Sequence, residues 1–152
     1  MVLRPTAAYV LDTSVAIKWY LEKEEADVAR AHELLNHFGR GECIIRAPQL
    51  LLFEIANALT TARKLPVPAA TEALAHLRRL GIDLRPLEWA TFANAIEIAS
   101  TCDVTIYDSY FLALALTSGS ILVTADDAFL RKTRGYPGVI HLRQFQLPDQ
   151  AL

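Results

Sequence analysis

From Tyr107 to Phe129 the chain reads YDSYFLALALTSGSILVTADDAF, and this stretch restricts the possible folds more than any other. Phe111, Leu112, Leu114, Ala115 and Leu116 run on with almost no polar residue among them. A helix of that kind is buried around most of its circumference. Asp108 and Ser109 stand where it should begin, and Gly119 where it should stop. Ile121-Leu122-Val123 then forms a short, apolar strand that ends in Thr124-Ala125-Asp126-Asp127. Asp108 and Asp126 therefore bracket an apolar helix–strand unit, each where a buried element meets solvent.

The rest of the chain repeats the theme. Ala8 to Leu11 is a strand candidate closed by Asp12, and Thr13 and Ser14 offer an N-cap for a helix from Val15 to Leu21. Taken alone, Asp12 reads equally well as a capping or turn aspartate. A second helix is expected from Glu24 to Phe38, ended by Gly39 and Gly41, then a strand at Cys43-Ile44-Ile45. Ala47-Pro48 is expected to close that strand and open a helix from Gln49 to Lys64. Glu54 is the anomaly of this helix, a carboxylate with apolar neighbours on both sides. Helical spacing puts Glu54, Asn57 and Thr61 on one narrow face, which is either a solvent face or one that looks into a polar site. Further helices are expected at Ala69–Leu80, Glu88–Ser100 and Asp127–Lys132, and strands at Ile82–Leu87, close to a sheet edge, and Val139–Leu142.

Short apolar strands alternating with helices are the pattern of a parallel sheet covered on both faces. In such sheets ligands bind beyond the carboxyl ends of the strands, near the point where strand order reverses. The length of 152 residues fits one domain over 1–152, and 53% hydrophobic with 21% charged residues describes a globular chain. No apolar run reaches the roughly 18 residues of a membrane span, and the N-terminus lacks the shape of a signal peptide. A cytoplasmic protein is expected. Cys43 and Cys102 form no CxxC pair and read as reduced core residues. A net charge of −2 argues against a general nucleic-acid coat but leaves room for a local basic strip.

Asp12 and Asp126 follow strand ends, Asp108 starts a helix, and Glu54 lies inside an apolar one. If these carboxylates converge they repel one another, and at least one pKa rises. Oxygen-rich anionic sites suit Mg²⁺ or Mn²⁺, which activate water and stabilise charge on a phosphodiester. The four histidines form no HExxH, and the chain has neither GxSxG nor a phosphate-cradling glycine loop. A phosphoaspartate enzyme is weakened by Ser14, which stands where such enzymes often carry a second aspartate.

The set VLDTS, LLLFEIANAL, YDSYFLALA and LVTADDAF, in this order and spacing, resembles the PIN-domain nucleases. The short length resembles the VapC-type toxins of toxin–antitoxin modules. The resemblance runs from about Tyr9 to Leu142. It implies a three-layer α/β/α sandwich around a central parallel sheet of four or five strands, and metal-dependent endoribonuclease activity. Asp12, Glu54, Asp108 and Asp126 match the family's catalytic acids. Asp12 and Asp108 are expected to hold the principal metal, with Asp126 completing the anionic wall and Glu54 orienting water or a second ion. Thr13 or Ser14, Asn57 and Thr124 are expected to support these acids, while Asp127 is placed to share or replace the part of Asp126. Arg131, Lys132 and Arg134 read either as RNA-phosphate contacts or as a solvated helix end. The resemblance further implies an RNA substrate, a cognate VapB-like antitoxin and a homodimer. Trp19, Tyr20 and Leu21, before the EKEE stretch, are either a partner groove or ordinary core. Against all this stand a non-catalytic PIN-like module, a housekeeping RNA-processing nuclease and a phosphatase.

Overall fold

A computed structural model of the chain describes residues 6–21 and 26–146. Its strands are β1 (Ala8–Leu11), β2 (Ile44–Pro48), β3 (Asp83–Arg85), β4 (Ile121–Thr124) and β5 (Val139–His141). All pair in parallel, in the order β3-β2-β1-β4-β5. The helices are α1 (Thr13–Ala16), α2 (Val28–Gly39), α3 (Leu50–Asn57), α4 (Val67–Arg79), α5 (Trp89–Cys102), α6 (Ile106–Ser118) and α7 (Asp127–Lys132). The chain winds outward from β1 through β2 to β3, then returns to the other side of β1 for β4 and β5. With right-handed crossovers, that reversal puts helices on opposite faces and yields the three-layer α/β/α sandwich.

Burial follows the strand order. In the central β1 and β4 every residue after the first is buried, as strands covered on both faces require. At the edge, β3 is half-buried along its whole length, in keeping with its alternating sequence. Helix α6 packs across β1, β2 and β4 and lies against α5. Its residues Ser109 to Ala115 are all buried, with Phe111, Leu112 and Ala113 wholly so. Leu116, expected inside, is 39% exposed. No helix among the described residues is long and apolar enough to cross a membrane.

Several boundaries differ from expectation for identifiable reasons. β2 continues through Pro48, since its register with β3 pairs Arg46, Ala47 and Pro48 with Asp83, Leu84 and Arg85. Proline lacks only the donor, so it can end a strand. α2 starts at Val28; its expected start at Glu24 and the EKEE stretch lie outside the described residues. α1 passes into a 3₁₀ turn at Ile17–Tyr20, and α3 widens into a π-helical turn at Ala58–Ala62. Trp19 is core rather than groove: it is 7% exposed, and its indole Nε1 donates to the Ala31 carbonyl at 2.9 Å. Tyr20 is half-buried and shares a 2.9 Å hydrogen bond with Nδ1 of His76. The burial of α6 has a direct test. Phe111→Ala should cost about 3–5 kcal/mol in chemical denaturation, and Leu116→Ala less than about 1 kcal/mol. Equal losses would contradict the orientation of α6.

Candidate active site

At the carboxyl end of β1 the apolar run stops at Leu11, and Asp12 is the next residue, still only 8% exposed. Its backbone is extended and caps α1, the carbonyl accepting from Val15 N and Ala16 N at 3.0 and 3.2 Å. Its side chain makes no capping bond. Instead Oδ2 accepts from Ser14 Oγ at 2.7 Å and from Thr124 Oγ1 at 2.9 Å. The turn-aspartate reading is thereby set aside. The same hydroxyls reach across to the end of β4: Ala125 N donates to Ser14 Oγ at 2.9 Å, and Asp126 N to Thr124 Oγ1 at 3.1 Å. Asp12 N–H also donates to the Val123 carbonyl at 3.1 Å. The ends of β1 and β4 are thus tied together around one carboxylate.

Glu54 reaches this place from α3. It is half-buried, and its Oε1 accepts from Thr13 Oγ1 at 2.7 Å. Of the two readings of its helix face, the one that looks into a polar site holds for Glu54. Asn57 and Thr61 are exposed further along, and Asn57 Oδ1 accepts from Thr61 Oγ1 at 3.1 Å. Asp108 lies in the first turn of α6, not at its cap. The cap is Thr105, whose hydroxyl accepts from Asp108 N at 3.1 Å. The N-cap acceptor of α6 is therefore the Thr105 hydroxyl and not the Asp108 carboxylate. The spacing Thr105-x-x-Asp108 is the sequence signal for it, a capping-box pattern with aspartate in the acid position. Asp126 does cap α7, Oδ1 accepting from Phe129 N at 3.0 Å, and is exposed.

The acids sense one another. Burial raises the pKa of Asp12; the Ser14 and Thr124 hydroxyls oppose the rise, and the charge of Asp108 adds to it. Burial also raises Glu54, against the Thr13 hydroxyl, and Asp12 and Asp108 push it further up. Asp108 is raised first by burial and then, against the Thr105 hydroxyl, by Asp126. Among the described residues, no lysine or arginine is among the charges acting on these three groups. Among the described residues, no three His, Cys, Asp or Glu side chains form a ready-made ligand cage. The all-carboxylate donor set of Asp12, Glu54, Asp108 and Asp126 suits a hard, hydrated cation such as Mg²⁺, which takes one or two carboxylates and keeps several waters. It does not suit zinc, which asks for nitrogen and sulfur ligands in a closed tetrahedron.

The remaining candidates are spoken for to different degrees. Asp127 is drawn away from Asp126: its Oδ1 accepts from Arg143 Nη2 at 2.9 Å and lies 3.6 Å from Nε2 of the buried His141. Lys132 donates to the Asp103 carbonyl at 2.7 Å. Arg131 and Arg134 are exposed beside a separate concavity with Tyr136.

The family model described as PIN domain matches residues 9–135. The chain belongs to the PIN-domain family. It is 30% identical over 86 residues to Exonuclease VapC9 of Pyrobaculum aerophilum, covering 57% of this chain and 65% of that relative, just under two thirds of its length. The crystal structure of PAE2754 from Pyrobaculum aerophilum is similar at TM-score 0.62 and 25% identity, over 91% of each chain. A DNA-bound VapBC from Salmonella typhimurium shares the fold at TM-score 0.63 and 18% identity, over 90% of this chain and 98% of that one. In this PIN domain the acid cluster sits at the winding reversal between β1 and β4, where open α/β sheets bind ligands.

The raised pKa values set the sign of a pH dependence. Asp12, Glu54 and Asp108 hold their protons more tightly when folded than at the ordinary values of 3.8 and 4.5. Their contribution to stability is therefore fully present below about pH 4 and is lost as pH rises through the folded values. Without divalent metal, Asp108→Asn should match wild type near pH 4 and be as stable or more stable at pH 7, by up to about 1 kcal/mol after solvent screening. Urea denaturation in EDTA across that range checks it. A wild type that gains on the variant as pH rises would mean that the carboxylates do not repel.

Proposed function

We propose that this PIN domain is a divalent-cation-dependent endoribonuclease of the VapC toxin type. The observation that carries the reading is the coupling of Asp12, Glu54, Asp108 and Asp126 into one anionic cluster with no balancing side-chain cation among the described residues. Membership of the PIN family and the likeness to Exonuclease VapC9 support it. Asp12 and Asp108 would hold Mg²⁺ or Mn²⁺, with Asp126 completing the wall. Such an ion, when bound, offsets negative charge on a phosphodiester and lowers the pKa of water. The protein's own part is placement. Ser14 and Thr124 fix the Asp12 carboxylate, Thr105 starts the helix that carries Asp108, and Thr13 holds Glu54 in position to orient the attacking water or a second ion. A non-catalytic module gains nothing from buried, mutually repelling acids.

The proposed partners follow the same likeness. Toxin–antitoxin complexes among the structures sharing the fold support a VapB-like antitoxin, and we take a homodimer in the cytoplasm as the working assembly. The name Exonuclease VapC9 makes the mode of attack the point to test.

Circular and linear single-stranded RNA of the same sequence should both be cut in Mg²⁺ or Mn²⁺, and neither in EDTA. Cutting of the linear form alone would make the enzyme an exonuclease; undiminished cutting after exhaustive chelation would end the metal reading. Asp12→Asn and Asp108→Asn should each abolish cleavage. Asp108→Asn should also reduce thermal stabilisation by Mg²⁺, which adds RT ln(1 + [L]/Kd) only through binding to the folded state.

A further inference from the structure

Two acids stand side by side where β4 gives way to α7, and the structure treats them differently. Asp126 keeps one oxygen on its own helix, Oδ1 accepting from Phe129 N at 3.0 Å, and its charge acts on Asp108. Asp127 is held from the end of β5. Its Oδ1 accepts from Arg143 Nη2 at 2.9 Å and lies 3.6 Å from His141 Nε2.

Arg143 is fixed at its base. His141 is 3% exposed, and its Nδ1 accepts from Arg143 N at 3.0 Å and from Arg143 Nε at 3.1 Å. A neutral ring that accepts at Nδ1 carries its proton on Nε2. The ring and the guanidinium therefore turn N–H groups towards the same oxygen of Asp127. Gln144 closes the turn, Oε1 accepting from His141 N at 3.2 Å. Phe145 is buried edge-on to Tyr9 at 5.2 Å, and its carbonyl accepts from Arg30 Nη2. Arg143 also approaches Asp27, before α2, at 4.0 Å. Its side chain is 57% exposed, so its ion pair with Asp127 adds little to stability. A cation held in one place acts instead on the choice between two acids. All these contacts of Arg143 come from outside the acid cluster, and Arg143 itself lies past residues 9–135, which match the PIN model.

The choice matters because the two carboxylates compete. α7 has six residues, with Asp126 as its cap and Asp127 as its first residue. An unpaired carboxylate one position from the cluster is available to a divalent cation as an additional or alternative oxygen donor. A carboxylate with a charge-assisted bond to a fixed guanidinium is not, since the cation would have to displace the arginine.

We propose that Arg143 is a positioning residue that occupies Asp127 and thereby leaves Asp126 as the acid of this pair that serves the metal-binding cluster. This rests on the divalent-cation reading and adds to it the element that chooses between the twin acids.

The test measures binding of Mn²⁺ alone to the RNA-free protein by isothermal titration. Each effect is taken as a ratio within one background, so that a uniform gain from removing a positive charge cancels. With Arg143 present, Asp126→Asn should weaken Mn²⁺ binding roughly ten-fold, and Asp127→Asn less than about two-fold. In an Arg143→Gln background Asp126→Asn should weaken binding by about three-fold or less, because Asp127 is released to the cluster. Adding Asp127→Asn there should restore the full loss. Arg143→Lys keeps a cation at Asp127 and should retain the wild-type ratio. The same ten-fold ratio with and without Arg143 overturns the proposal, as a purely structural arginine would weaken all variants alike. So does an Asp127→Asn protein that loses as much as Asp126→Asn while Arg143 is present. If Mn²⁺ binds none of these proteins, the metal reading falls, and thermal melts in EDTA decide the pairing. Asp127→Asn and Arg143→Gln should then be non-additive by about 1–2 °C, and Asp126→Asn and Arg143→Gln additive. Any other pattern in those melts overturns the assignment of the two acids as well.

Discussion

Oδ2 of Asp12 receives the hydroxyl hydrogens of Ser14 and Thr124, and the site depends on that pair of bonds. A buried carboxylate with no partner is costly, by several kcal/mol. Here the partners are neutral hydroxyls, which satisfy the oxygen without cancelling its charge. The two hydroxyl oxygens also accept from Ala125 N and Asp126 N. The bonds that make the buried charge tolerable therefore also align the ends of β1 and β4. An arginine in their place would satisfy the charge but leave nothing for a cation to do.

Stability and function pull in opposite directions at this point. Burial raises the pKa values of Asp12, Glu54 and Asp108 and neighbouring carboxylate charges add to the rise, so the cluster opposes folding at neutral pH. The support comes from elsewhere, chiefly the buried run of α6 against β1, β2 and β4 and the doubly covered central strands. Asp108 is carried on the first turn of that same helix. Its position is set by a helix buried along most of its body, which suits a group that must be held against repulsion.

The helices that bring acids to the cluster also carry aromatic rings to its edge. Exposed Phe53 and Tyr107 contribute nothing to the core. By contrast the arginine-bearing concavity by Tyr136 is built from a different part of the chain.

Much of the architecture was legible locally. Helix and strand periods extend over a few residues, so β1, α7 and the body of α6 were readable from apolar spacing alone, and their alternation implied a parallel sheet. The order and spacing of the four acidic motifs pointed to the PIN family. Other features depend on residues far apart in sequence. Thr13 meets Glu54 across 41 positions, and Asp12 meets Thr124 across 112; only the return of the chain to the far side of β1 brings them together. Asp127, adjacent to Asp126 in sequence, was diverted by Arg143, and Trp19 was claimed by the core. Local sequence determined which elements form and which acids stand at their ends. Tertiary structure decided which of those acids share a site, because strand order and long-range hydrogen bonds are properties of the assembled sheet.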